Sequence, residues 1–258
     1  MVNICFTFDY ELFFGKNYGT PQEVLFEPTY RLVENLTELN VSATFFADVC
    51  SVLQAQKYNL TDYIQGFENQ LLWMNNVGQD IQLHIHPHWL KSIYKEGEWI
   101  FDRNYYRIHS FGFERQKNIS GYSIIKNGRK YLIDLLGKQD GSYECIAYRA
   151  GGFCLQPSNE LIKALYDIGI RIDSSIAPRL VSTSKTNFYN FKESICGSNW
   201  WIGYDTPWNI DACNSKKKIF EVPIGTHNKN IVYFALKRLF DRNSVKLPLK
   251  IMRGTYID

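Results

Sequence analysis

The chain has no stretch approaching the roughly 18 uninterrupted apolar residues of a membrane-spanning helix. Its start, MVNICFTFDY, lacks a basic segment followed by a long apolar one. Both absences lead us to expect a cytoplasmic protein that does not insert into a membrane. Charge of one sign is scarce too: the formal net charge is +3, and the one dense basic run, Lys216 to Lys218, reads as a solvated loop. A nucleic-acid partner is therefore not expected. The six cysteines, Cys5, Cys50, Cys145, Cys154, Cys196 and Cys213, contain no CxxC pair, and several sit in apolar runs, which suits reduced thiols rather than a disulfide framework. No internal repeat, low-complexity tract or linker divides the chain, so residues 1–258 are expected to form a single domain.

What the sequence does have is a rhythm. Short runs rich in Val, Ile, Phe and Tyr occur at 3–8, 41–47, 80–85, 144–149, 169–174 and 219–224, most of them apolar enough to be buried on both faces. Amphipathic stretches alternate with them. Pro28 opens TYRLVENLTEL, and Ser158 is placed to cap NELIKALYDI, which ends at Gly169. Strand, helix and strand in this order predict an α/β fold with a parallel sheet, either a barrel or a doubly wound sheet. Two segments break the rhythm, near 87–118 and 175–215, and loops of that length in a compact domain are usually functional. The aromatic content, 16% of residues, fits a well-filled core or rings lining a sugar groove, with Trp89, Trp99, Trp200, Trp201 and Trp208 as stacking candidates.

The polar residues fall at the carboxyl ends of the expected strands. Asp9 and Glu11 follow the first, His84, His86 and His88 end the third, Arg149 the fourth and Asp173 the fifth, and His227 follows the sixth. Each alone has a plain explanation, such as a turn residue, a structural ion pair or a helix start. Gathered at the end where the loops of a parallel barrel converge, they suggest a site. Three of the five histidines lie in QLHIHPHWL. Strand alternation lets His84 and His86 point together, while Pro87 turns the chain so that His88 can swing back toward His84. Imidazoles at this spacing, with a carboxylate from another strand end, make a two-His-one-carboxylate set with open positions for water and substrate.

These motifs resemble the polysaccharide deacetylases of the NodB-homology, carbohydrate esterase family 4 type. FTFDYE (6–11) is similar to that family's TFDD motif, VSATFF (41–46) to its ATFF strand, and HIHPH (84–88) to its His-x-x-x-His. YRAGG (148–152), IDSS (172–175) and VPIGTH (222–227) stand where the family has an Arg-led loop, a fourth motif and a late histidine. The resemblance implies a distorted (β/α) barrel of about six or seven parallel strands. It also implies a hydrolase that removes an N-acetyl or O-acetyl group from a sugar or a surface-polysaccharide precursor, using one divalent cation, Zn2+. In its terms Asp9 is the base, and His84 and His88 hold the metal. Glu11 is the third ligand, because Tyr10 stands where the family's second aspartate would be. Arg149 orients Asp9, Asp173 braces Arg149, His227 is the general acid, and Gly152 N–H donates to the oxyanion. His86 has no role in the family and is either a supporting group or a ligand. The expected substrate is an acetylated amino sugar or its nucleotide- or lipid-linked form. Two other readings stand beside this one: an amidohydrolase-like barrel enzyme in which His84 and His86 are the metal pair, and a sugar-binding protein that keeps the fold without catalysis.

Overall fold

The computed structural model describes residues 4–12, 19–194, 199–203 and 218–225. The chain divides into two compact units, Met1–Ile224 and Gly225–Asp258, and the elements below belong to the first.

That unit is mixed α/β. In chain order its strands are β1 (Thr7–Tyr10), β2 (Thr44–Asp48), β3 (Asp80–Ile85), β4 (Ile93–Lys95), β5 (Glu98–Ile100), β6 (Ala147–Ala150), β7 (Ile172–Asp173), β8 (Val181–Thr183), β9 (Phe188–Asn190), β10 (Trp200–Gly203) and β11 (Lys218–Glu221). Seven of them form one sheet in the order β1-β2-β3-β6-β7-β11-β10, parallel except where β10 meets β11. The six expected strand runs are the six parallel members of this sheet. Antiparallel β10 lies in the segment 175–215, where the sequence predicts a loop. Among the described residues no pairing joins β10 to β1.

The α-helices are α1 (Glu27–Glu38), α2 (Val49–Lys57), α3 (Thr61–Asn76), α4 (Gly121–Leu136) and α5 (Asn159–Ile168). α1 takes Pro28 in its first turn, as expected. α5 stops where Gly169, at φ 102°, adopts the left-handed conformation that residues with a Cβ resist. Ser158 does precede α5, but its backbone is already helical and its side chain makes no capping bond, so the expected cap is absent. An extended backbone is what lets a serine Oγ reach the N3 amide. The apolar stripe of α3, with Phe67, Leu71 and Met74 fully buried, packs into the core with Phe45, Leu83 and Ile85. Each such side chain removed from water contributes roughly 1.5–3 kcal/mol.

Both long segments contain hairpins. β4 pairs with β5 across Glu96 and Gly97, whose φ values of 54° and 85° suit a tight two-residue turn, and β8 pairs with β9. Lys218 opens β11 instead of lying in a solvated loop, and its Nζ sits 4.9 Å from the centre of the Trp201 ring. Cys50, Cys145 and Cys154 are buried, Cys5 is exposed, and all four are free. No helix among the described residues is long and apolar enough to cross a membrane.

Candidate metal centre

Alternation along the parallel strands sorts the sheet into two faces. The register Asp9↔Phe46↔Gln82 and Asp48↔His84↔Arg149 puts these side chains on one face. Tyr10↔Ala47↔Leu83↔Tyr148↔Asp173↔Glu221 puts those on the other. Tyr10 accordingly turns into the helix-covered layer. It packs against Phe67 of α3 and donates from its phenol to Gln70 Oε1 at 2.7 Å. Asp9 and Glu11, on either side of it in sequence, are left for the polar face.

There Glu11, His84 and His86 come together, with one ligand atom from each lying within 4.8 Å of the others. Glu11 Oε2 is 2.6 Å from His86 Nε2 and 3.1 Å from His84 Nε2. His84 Nδ1 lies 2.8 Å from the Arg149 carbonyl oxygen. A carbonyl only accepts, so Nδ1 carries a proton whichever state the ring is in, and Nε2 faces Glu11. Burial alone would pull His84 down, but Asp9, the hydrogen bond with Glu11 and Asp48 outweigh it and push the imidazole up to about 9. Burial likewise pushes Glu11 up, and nearby His86 with the bonds from both histidines more than reverses this, holding the carboxyl well below its usual range. Glu11 and His84 thus stabilise one another as charges of opposite sign, and two imidazole nitrogens with one carboxylate oxygen are the donor chemistry of a divalent first-row cation. The residues therefore fit a metal ion.

His88 is not among these donors. Pro87 does end the ladder, but the chain continues as a 3-10 turn over Pro87–Lys91 and does not double back. The His88 ring lies 5.5 Å from the His86 ring, stacks on Tyr106 at 4.3 Å with an interplanar angle of 7°, and meets the edges of Phe101. Burial and His86 draw it down to about 2. His86 thus stands where His88 was expected.

Asp9 is fixed by Arg149, whose Nη1 donates to Oδ1 at 2.7 Å. The rest of the guanidinium donates to Thr7 Oγ1, the Ser174 carbonyl and Ser174 Oγ, and lies 4.1 Å from the centre of the Phe46 ring. Asp173 is not among these partners. It occupies the opposite face, where its carboxylate accepts from Ser175 Oγ and Ser175 N, so Ser174 braces Arg149 in its place. Burial pushes Asp173 up, and pushes Glu221, directly opposite it on β11, well above the usual carboxylate range.

Four residues at the site went unsingled in the sequence. Asp48 is fully buried at the end of β2, and its Oδ1 accepts from Cys50 N and from His86 N, tying the α2 start to the backbone of the ligand loop. Burial pushes it up to about 6 against the opposing pull of His86 and His84. Its place before VCSVLQAQK was a legible helix-cap signal, but its bond to His86 spans 38 positions and left no local trace. Thr7 and Ser174 hold Arg149. Gly151 makes room for His86, since a Cβ there would lie 2.4 Å from Ile85 O and 2.8 Å from His86 Nδ1.

Gly152 sits in the turn after β6 at φ 56°, close to the Asn187 side chain. His227 and Trp208 lie outside the described residues. Of the other tryptophans, Trp89 and Trp200 are buried, Trp99 is half-buried, and Trp201 is exposed. Compared with known proteins, the chain matches no protein-family model, no curated protein and no solved structure.

Proposed function

We propose that the protein is a metal-dependent hydrolase that removes an acetyl group from an amino sugar or its carrier-linked form. The observation that carries the reading is the convergence of Glu11, His84 and His86 beside an arginine-held Asp9 at the carboxyl ends of parallel strands. Glu11, His84 and His86 would hold the cation, which we assign as Zn2+. When bound, such an ion supplies Lewis-acid polarisation of a carbonyl and a water acidified to near neutral pH.

The chain's own groups do the rest. Asp9 is aimed by Arg149 and accepts the proton of the attacking water. The Arg149 carbonyl keeps His84 Nε2 turned to the site, and Gly152 N–H is assigned to the developing oxyanion. Water oxygen bonds to the acetyl carbon, the C–N bond breaks, and the amine nitrogen takes a proton, for which the resemblance designates His227. Acetate and a free amino sugar leave.

The barrel reading draws support from Arg149. β1 and β6 are three steps apart in the sheet, roughly 14 Å if it were flat. Arg149 nevertheless reaches Asp9 and Thr7 on β1, which favours a sheet strongly curled about the polar face.

A second reading is favoured by one observation. The imidazoles gathered here are His84 and His86, a His-x-His pair, as the amidohydrolase-like alternative expects. Both readings are tested together by the zinc content of purified protein loaded under metal-replete conditions, and by acetate release from N-acetylglucosamine oligomers. About one zinc per chain is expected. His86→Ala should lose the metal and His88→Ala should keep it. Absence of bound metal in the wild-type protein would end the enzyme reading. Metal binding with no acetate released would leave the amidohydrolase-like one.

A further inference from the structure

The first unit holds a cavity of about 890 Å3. Tyr63, Trp89, Tyr94, Trp99 and Phe101 line it, and Leu12 brings its wall to within one residue of Glu11. The rings are locked in place by one another. Trp99 meets Trp89 edge-on at 5.2 Å, Tyr58 edge-on at 5.5 Å and Tyr94 at 4.9 Å. The β4–β5 hairpin carries Tyr94 and Trp99 as a cross-strand pair, so this arm presents its aromatic face to the chamber. The volume falls within the range of small-ligand sites.

The charge of the described lining is one-sided. Asp62 and Glu98 stand on it, and no lysine, arginine or histidine is among its described lining residues. Among the described lining residues a phosphate-bearing ligand would find no cationic side chain. A ligand with a flat apolar face and a positive group would meet ring quadrupoles and two carboxylates, a combination that selects organic ammonium ions.

We propose that this chamber is a subsite for the protonated primary amine of a de-N-acetylated sugar. The inference rests on the deacetylase reading for the source of that amine: amide cleavage at the neighbouring cluster converts a neutral acetamido group into an ammonium. A sugar already deacetylated then docks by its apolar ring face on Trp99, with its ammonium toward Asp62 and Glu98, and places the next acetylated unit at the metal centre. The preferred substrate is a partly deacetylated oligomer, not a fully acetylated one.

The test is calorimetric titration of the full chain with tetramers of β-1,4-linked glucosamine and of glucose, the second being neutral and without amines. The glucosamine tetramer is expected to bind at least about tenfold more tightly than the glucose tetramer. Trp99→Ala should lose most of that binding. The pair Asp62→Asn and Glu98→Gln, both at exposed positions that leave the fold intact, should abolish the preference while zinc content stays unchanged. Equal affinity for the two tetramers, or a preference that survives removal of both carboxylates, overturns the proposal. Acetate release from N-acetylglucosamine oligomers, measured in parallel, separates the two ideas. Amine-selective binding without acetate release would keep the chamber as a cation site and remove the deacetylase reading. Acetate release without amine selectivity would do the reverse.

Discussion

Gly151→Ala is the substitution that most sharply probes how the metal centre is built. Gly151 is not one of the positive-φ glycines, so alanine can take its backbone conformation and the change is purely one of space. The added Cβ would lie 2.4 Å from Ile85 O, 2.8 Å from His86 Nδ1 and 2.9 Å from His86 Cγ. A comfortable carbon-to-oxygen contact begins near about 3.3 Å, so something must move by about 0.9 Å. The carbonyl belongs to β3, which is paired on both sides, so the movement falls on the β6 turn and the His86 ring. Metal–ligand distances tolerate only about 0.2 Å, so the ring leaves ligating position. Overpacking of this kind costs about 1–3 kcal/mol of stability, and a displaced ligand should lower zinc affinity by at least about 10- to 100-fold, the size of effect seen for supporting groups. Competition against a chromophoric chelator reads the affinity, and thermal unfolding of the metal-free protein reads the stability. A lower melting temperature with unchanged zinc affinity would show that His86 is not a ligand. No change in either would show that Gly151 does not shape the site.

Three further outcomes are expected. Arg149→Ala should lower turnover by about 10²-fold or more while retaining zinc, because the carbonyl that orients His84 is backbone and survives the change; Arg149→Lys should not restore it, since one ammonium cannot span Asp9, Thr7 and Ser174. Asp9→Asn should likewise keep the metal and lose about 10²- to 10⁴-fold in rate, as read by zinc content against acetate release; loss of metal would make Asp9 a ligand. Glu221→Gln bears on pH. Burial, and then Asp173 opposite, raise the folded-state value of Glu221, so the stability it contributes is fully present below its unfolded value and is lost as pH rises toward the folded one. The melting temperature of the variant should therefore gain on that of the wild type as pH rises above about 5, and parallel curves would refute the raised value of Glu221.

Periodicity and punctuation made much of this molecule readable in one dimension. The six parallel strands, the Pro28 and Gly169 helix boundaries and the turn of Tyr10 away from the polar face all follow from alternation and φ restrictions, which act within a few residues. That Asp9, Glu11, His84 and Arg149 share one end of the sheet follows from the same rule, because each sits at the carboxyl end of a parallel strand. Which histidine joins Glu11 does not. Pro87 announces a turn, but whether the next residues fold back or wind into a 3-10 turn depends on the bed of Tyr106, Phe101 and Trp89 that receives His88, and Phe101 and Tyr106 come from further along the same long segment, beyond the reach of local propensity. The bracing of Arg149 by Ser174 and Thr7, the bond from Asp48 to His86, and the chamber built by a hairpin against α3 likewise join residues far apart in sequence. Local propensity fixes which way a side chain leaves its own strand, and only the packing of strands and loops against one another fixes what it meets there.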